Sequence, residues 1–154
     1  MECRTEVLLL KALGFSGKDL NHQGGKGKVC NRLKRTNKAW GLIDKDPESF
    51  QPSYLKNLEV IKEEDDIKIL YDHKRENTVV MLCPRFEEWI LKTAKSAKIN
   101  LRDYGIPNNP LELWKEINFY LRNLERLIHK LLEKNPSRLK TLKNALSTWE
   151  PIPP

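Results

Sequence analysis

Apolar and polar positions alternate along this chain in several distinct rhythms, and each rhythm predicts an element. Val7-Leu8-Leu9-Leu10 and Leu13 cluster between Thr5, a side chain suited to a helix N-cap, and Gly14, a residue suited to a helix stop. A short helix is therefore expected over residues 6–13. Gly24-Gly25-Lys26-Gly27 then forms a glycine turn that feeds a basic helix expected over 26–35. Ala39 to Ile43 is a short apolar run, expected as a buried strand that ends in Asp44-Lys45-Asp46-Pro47. After Pro47 the chain reads as a surface loop, and the acidic run Glu59 to Asp66 as a solvated face.

Ile67 to His73 and Thr78 to Pro84 are rich in β-formers and are joined by Lys74-Arg75-Glu76-Asn77, which predicts a hairpin. The second run is wholly apolar, as a strand buried on both faces would be. Arg85 onward to about Ile99 predicts a helix with Phe86, Trp89 and Ile90 on one stripe. Residues 100–110, with Pro107 and Pro110, read as a loop. From Leu111 to Glu133, apolar residues recur every three or four positions, predicting one long amphipathic helix. Asn135-Pro136-Ser137 breaks it, and Arg138 to Trp149 predicts a shorter helix that packs back as an αα-hairpin.

The chain has 154 residues, 39% hydrophobic and 32% charged, which suits a folded domain and is too apolar for a disordered one. Two parts are expected: an α/β unit over 1–106 and a helical extension over 107–154 packed on it. Val7 to Leu10 is too short for a signal-peptide core and nothing is long enough to span a bilayer, so a cytoplasmic protein without membrane association is expected. Cys3, Cys30 and Cys83 are far apart and form no Cys-x-x-Cys pair, and His22, His73 and His129 are equally scattered. This spacing argues against a zinc site and against a disulfide framework.

The formal charge of +7 points to a polyanionic partner. A Walker phosphate loop is excluded, because Lys28 is followed by Val29 and Cys30 rather than by Ser or Thr. What remains is a basic helix whose Lys26, Lys28, Arg32 and Arg35 are expected to contact nucleic-acid phosphates; a glycine turn carrying solvated lysines is the alternative.

Asp44 and Asp46 stand at i and i+2, so in an extended chain both carboxylates point the same way; a simple turn is the competing reading, since Asp and Pro are frequent where strands end. Glu2, Asp44, Asp46 and Glu87 all lie at breaks between an apolar run and a helix or loop. In a parallel sheet such breaks collect at one edge. Clustered carboxylates repel, so a cluster implies a cation, and oxygen donors without His or Cys favour Mg²⁺ or Mn²⁺.

The ordered set Glu2-x-x-Thr5-Glu6, a helix, Gly24-Gly25-Lys26-Gly27, Gly41-Leu42-Ile43-Asp44-Lys45-Asp46-Pro47, then Pro84-x-Phe86-Glu87-x-Trp89 resembles the TOPRIM superfamily over residues 1–99. The nearest similarity is to compact bacterial nuclease-like branches related to the RloB and OLD families. The resemblance implies an α/β fold with a small, mostly parallel sheet between helices, followed here by the C-terminal α-helical hairpin. It also implies a strand ahead of Glu2, for which the chain supplies no residues, and Cys3 stands where the family has glycine. Glu2, Asp44 and Asp46 would be metal ligands and, with Glu87 as a further acid, the catalytic set. The function so implied is Mg²⁺-dependent cleavage of DNA or RNA phosphodiesters. The alternative is a non-catalytic nucleic-acid-binding module, or an interaction subunit of a defence or toxin complex, with a protein partner or a second copy of the chain bound.

Overall fold

The computed structural model describes residues 4–15 and 25–147. Residues 1–3, with Glu2 and Cys3, and residues 16–24 and 148–154 lie outside the described residues. A single sheet of four strands, β1 (Trp40–Asp44), β2 (Glu59–Glu64), β3 (Ile67–Asp72) and β4 (Asn77–Leu82), has the spatial order β1-β4-β3-β2. β1 and β4 are parallel, with Trp40 opposite Thr78 and Asp44 opposite Leu82. β4 with β3, and β3 with β2, are antiparallel.

The expectation of a mostly parallel sheet is thus corrected, and the reason is loop length. Only Asp65 and Asp66 separate β2 from β3, both at positive φ (53° and 59°), and four residues separate β3 from β4. A parallel neighbour needs a crossover of a dozen or more residues, so such short turns can only reverse the chain. β2 is the acidic run expected as a solvated face. All six of its residues are exposed, yet it pairs with β3, because an edge strand needs only one hydrogen-bonding partner.

Side chains from the inner strands divide by the two-residue period between two apolar layers. Leu42, Ile69, Val80 and Leu82 point to one face, and Ile43, Leu70, Val79 and Met81 to the other. On the second face lie α2 (Lys26–Leu33) and α3 (Ser53–Lys56), through Val29, Cys30, Leu33, Tyr54 and Leu55. Gly41 permits that packing: a Cβ there would stand 2.9 Å from Val29 Cγ1 and 3.2 Å from Leu33 Cδ1.

The first face carries α1 (Arg4–Ala12), α4 (Phe86–Ser96), α5 (Pro110–Lys115), α6 (Ile117–Lys134) and α7 (Ser137–Ser147). Its core runs without interruption from Leu42 and Val80 through Phe86, Trp89 and Ile90 to Leu127, Ile128 and Leu142. The single helix expected from Leu111 to Glu133 is two helices. Glu116 leaves helical geometry (φ −114°, ψ 31°), and α5 has its own start, with Asn109 Oδ1 accepting from the amides of Leu111 and Glu112. α6 and α7 meet at Asn135, which takes the left-handed conformation.

Polar contacts lock α7 onto the β2–β3 turn. Arg138 Nε donates to Thr93 Oγ1 (3.0 Å) and Nη1 to Asp66 Oδ2 (2.9 Å), while its guanidinium lies over the Trp89 ring. The hydrogen bond from Lys92 is the largest influence on Asp66 and, with Arg138, holds that carboxyl below its ordinary value despite partial burial. No helix among the described residues is long and apolar enough to cross a membrane.

Candidate functional site

Because β1 and β4 are parallel, their C-terminal ends share one edge of the sheet, and the chain continues this pairing past the last strand residues. Lys45 N donates to Leu82 O (2.9 Å) and Asp46 N to Pro84 O (2.8 Å). These bonds place Asp46, which adopts φ 42°, against the start of α4. The loop is braced from outside the sheet by Lys26, whose Nζ donates to Lys45 O (2.7 Å) and Ser49 Oγ (2.9 Å). Gln51 Nε2 adds bonds to the carbonyls of Lys45 and Asp46.

A cavity of about 690 Å³ opens at this edge, within the size range of small-molecule sites. Asp44, Asp46 and Glu87, three of the four acids singled out in the sequence, line it together; Glu2, the fourth, lies outside the described residues. Glu48, Arg85 and Glu88 line it too, as does Thr5 of α1, and α5 contributes Leu111 and Trp114, both more than half exposed.

Glu87 occupies the first turn of α4 and is only 5% exposed. Among the described residues no hydrogen-bond donor reaches its buried Oε2. Burial, reinforced by the charges of Glu6 and Glu88, pushes its pKa up to about 7, against the opposing pull of its own backbone amide and Arg85. Glu6 is fully buried on α1. It ends the Glu-x-x-Thr-Glu pattern, so its signal was present in the sequence although only Glu2 was assigned a role there.

Arg85 carries no motif that would single it out in the sequence. Its Nε donates to Asp46 Oδ1 (3.1 Å), Nη1 to Glu88 Oε1 (3.1 Å), and Nη2 lies 3.3 Å from Glu48 Oε2. Burial alone would lower its pKa; the Glu88 and Asp46 carboxylates outweigh that and raise it. Among the described residues, no three His, Cys, Asp or Glu side chains are already drawn together as a metal cage. Asp46 in particular faces Arg85 rather than sharing one extended face with Asp44, because the backbone turns at its positive φ.

The four basic residues separate. Lys26 is buried and committed to the loop, whereas Lys28 and Arg32 lie on the exposed side of α2 and Arg35 is exposed in the turn that follows it. Cys30 is buried, and Cys83 is half-buried, its thiol pKa raised by that burial.

Taken together the fold is a mixed α/β domain with an acidic cavity at the C-terminal edge of the parallel pair β1 and β4. No protein-family model, curated protein or solved structure matches the chain.

Proposed function

We propose that this cavity is the acid site of a divalent-cation-dependent protein that cleaves phosphodiester bonds in DNA or RNA. The observation that carries the reading is the buried Oε2 of Glu87, which has no donor among the described residues and lines one cavity with Asp44 and Asp46. The donor set fits a hard cation, since it consists of carboxylate oxygens with no His or Cys beside them. Asp44, Asp46 and Glu87 would hold Mg²⁺ or Mn²⁺, with Glu2 as a further candidate ligand. Such an ion, when bound, stabilises charge on phosphoryl oxygens and activates water.

The chain's own groups supply the rest. Glu87, with a pKa of about 7, can give up its proton near neutral pH and so present a carboxylate to an entering ion. Lys28, Arg32 and Arg35 offer exposed positive charge to a polynucleotide backbone, in keeping with the net charge of +7. The resemblance of residues 1–99 to TOPRIM proteins supports the same reading.

A second reading, a nucleic-acid-binding or partner-binding module without catalysis, is favoured by one observation: Arg85 already neutralises carboxylates at the site. The deciding experiment incubates labelled single-stranded and duplex DNA and RNA with the protein in Mg²⁺, Mn²⁺ or chelator. Metal-dependent cleavage that Asp44→Asn abolishes is the expected result. Salt-sensitive binding without cleavage in any metal would establish the second reading instead.

A further inference from the structure

Arg85 carries one positive charge and distributes it over three carboxylates from two parts of the chain. Asp46 and Glu48 belong to the loop after β1, and Glu88 to the first turn of α4. Each of its three guanidinium nitrogens faces a different acid, at 3.1 to 3.3 Å. A guanidinium gains most from two parallel bonds to a single carboxylate or phosphate. Here that bidentate geometry is forgone, and the group acts as a shared counter-ion.

Beside it lies Glu87 Oε2, buried, without a donor among the described residues and lining the same cavity. This oxygen stays outside the set that Arg85 satisfies. The cavity thus combines three acids that share one internal cation with an acid, Glu87, that this cation does not bond.

We propose that Arg85 is the resident counter-cation of the cavity, that a divalent ion enters by displacing it from Asp46, and that the displaced guanidinium is the group that receives a substrate phosphate. The inference rests on the cation-dependent reading above and adds a rule of operation to it. An ion entering alone costs Arg85 its bond to Asp46 and leaves it only Glu48 and Glu88, whereas an ion entering with a phosphodiester gives Arg85 a new bidentate partner. Cation and phosphate therefore bind with positive coupling, and linkage requires that coupling to be reciprocal.

The test is a calorimetric titration of the full chain with Mn²⁺, alone and with a short single-stranded phosphorothioate oligonucleotide. In the wild type the oligonucleotide should tighten Mn²⁺ binding by about ten-fold, a typical size for coupled sites. Arg85→Gln should bind Mn²⁺ alone about ten-fold more tightly, because a competing cation has gone, and should lose the coupling. Lys95→Gln, on the last turn of α4, controls for a general change in net charge and should change neither quantity.

Arg85→Lys keeps the charge but cannot hold three acids at once, so it should bind Mn²⁺ with intermediate affinity and retain the coupling. It carries the comparison should Arg85→Gln fail to unfold cooperatively. Mn²⁺ affinity that Asp44→Asn weakens but that neither Arg85 substitution tightens would overturn the role of Arg85 alone. Absence of Mn²⁺ binding in every protein would overturn both this inference and the cation-dependent reading.

Discussion

Asp44 stands directly opposite Leu82 in the parallel pair of β1 and β4, and Glu87 follows Leu82 by five residues, in the first turn of α4. That register is why two acids far apart in sequence line one cavity. A parallel pair puts both strand ends at the same edge, where an antiparallel pair would have sent the helix after β4 to the opposite one.

Asp44→Asn keeps the side chain's shape and removes one negative charge from this edge. Without added cation the protein should melt at an equal or higher temperature, since carboxylate repulsion falls. The stabilisation produced by Mg²⁺ should shrink, because a ligand that binds only the native state stabilises in proportion to occupancy. Thermal melts of both proteins with and without Mg²⁺ check this, and an equal metal response would remove Asp44 from the site.

Glu87 should make the protein less stable as pH rises. Its folded pKa of about 7 lies above the ordinary value of 4.5, so between these limits the folded state holds a proton that the unfolded state has released. Stability is full below about pH 4.5, declines as pH rises through 7, and levels off once both states are ionised. Glu87→Gln abolishes that decline and should be more stable than the wild type above neutrality by roughly 3 kcal/mol at most. Urea denaturation across this pH range, compared between the two proteins, measures it.

Lys26 and Lys28, two residues apart on α2, should respond in opposite ways. Lys26→Ala deprives Lys45 O and Ser49 Oγ of a buried donor and should cost about 1–3 kcal/mol of stability. Lys28→Ala should leave stability unchanged while weakening nucleic-acid binding regardless of sequence and lowering its salt dependence by about one unit of slope. Denaturation curves and salt-titrated anisotropy separate the two effects.

At the opposite end of the sheet, Asn77 is fully buried. Its Nδ2 donates to Leu33 O and Thr36 O (2.8 Å each), and Oδ1 accepts from Ala39 N (2.9 Å). It thereby ties the end of α2 to the start of β1. Tyr54 Oη, whose pKa burial raises to about 12, donates to Asp72 Oδ2 in the same network. Burial would raise the Asp72 pKa, but Tyr54 and the amides of Arg75 and Lys74 outweigh it and hold it low. Asn77→Ala should cost roughly 3 kcal/mol, since three backbone groups lose their partner. Chemical denaturation is the readout, and a loss below about 0.5 kcal/mol, the scale of an ordinary surface substitution, would show that water replaces the amide.

Where the apolar rhythm was strong, the sequence alone located the elements. The all-apolar run ending at Leu82 is a strand buried at every position, and Phe86, Trp89 and Ile90 form the fully buried stripe of α4. β2 was illegible, because an edge strand with all six residues exposed has no alternation to detect; the informative signal was the Asp65-Asp66 turn beyond it. The break at Glu116 was hidden for the converse reason: apolar spacing continues across it, while Asn109 and Pro110 start a separate helix.

For the site, the sequence determined which acids end the buried strand β1 and begin the helix after β4, since apolar runs and their breaks are local properties of the chain. Only the tertiary structure decided that Asp44, Asp46 and Glu87 share a cavity, that burial, with Glu6 of α1 adding to it, raises the pKa of Glu87, and that Arg85 is shared by Asp46, Glu48 and Glu88. It likewise turned Lys26 from an expected phosphate contact into a buried brace for the loop. The physical reason is that charge acts through space: an ionisable group's partners and solvation depend on which strand ends the sheet brings together, and residue spacing does not encode that.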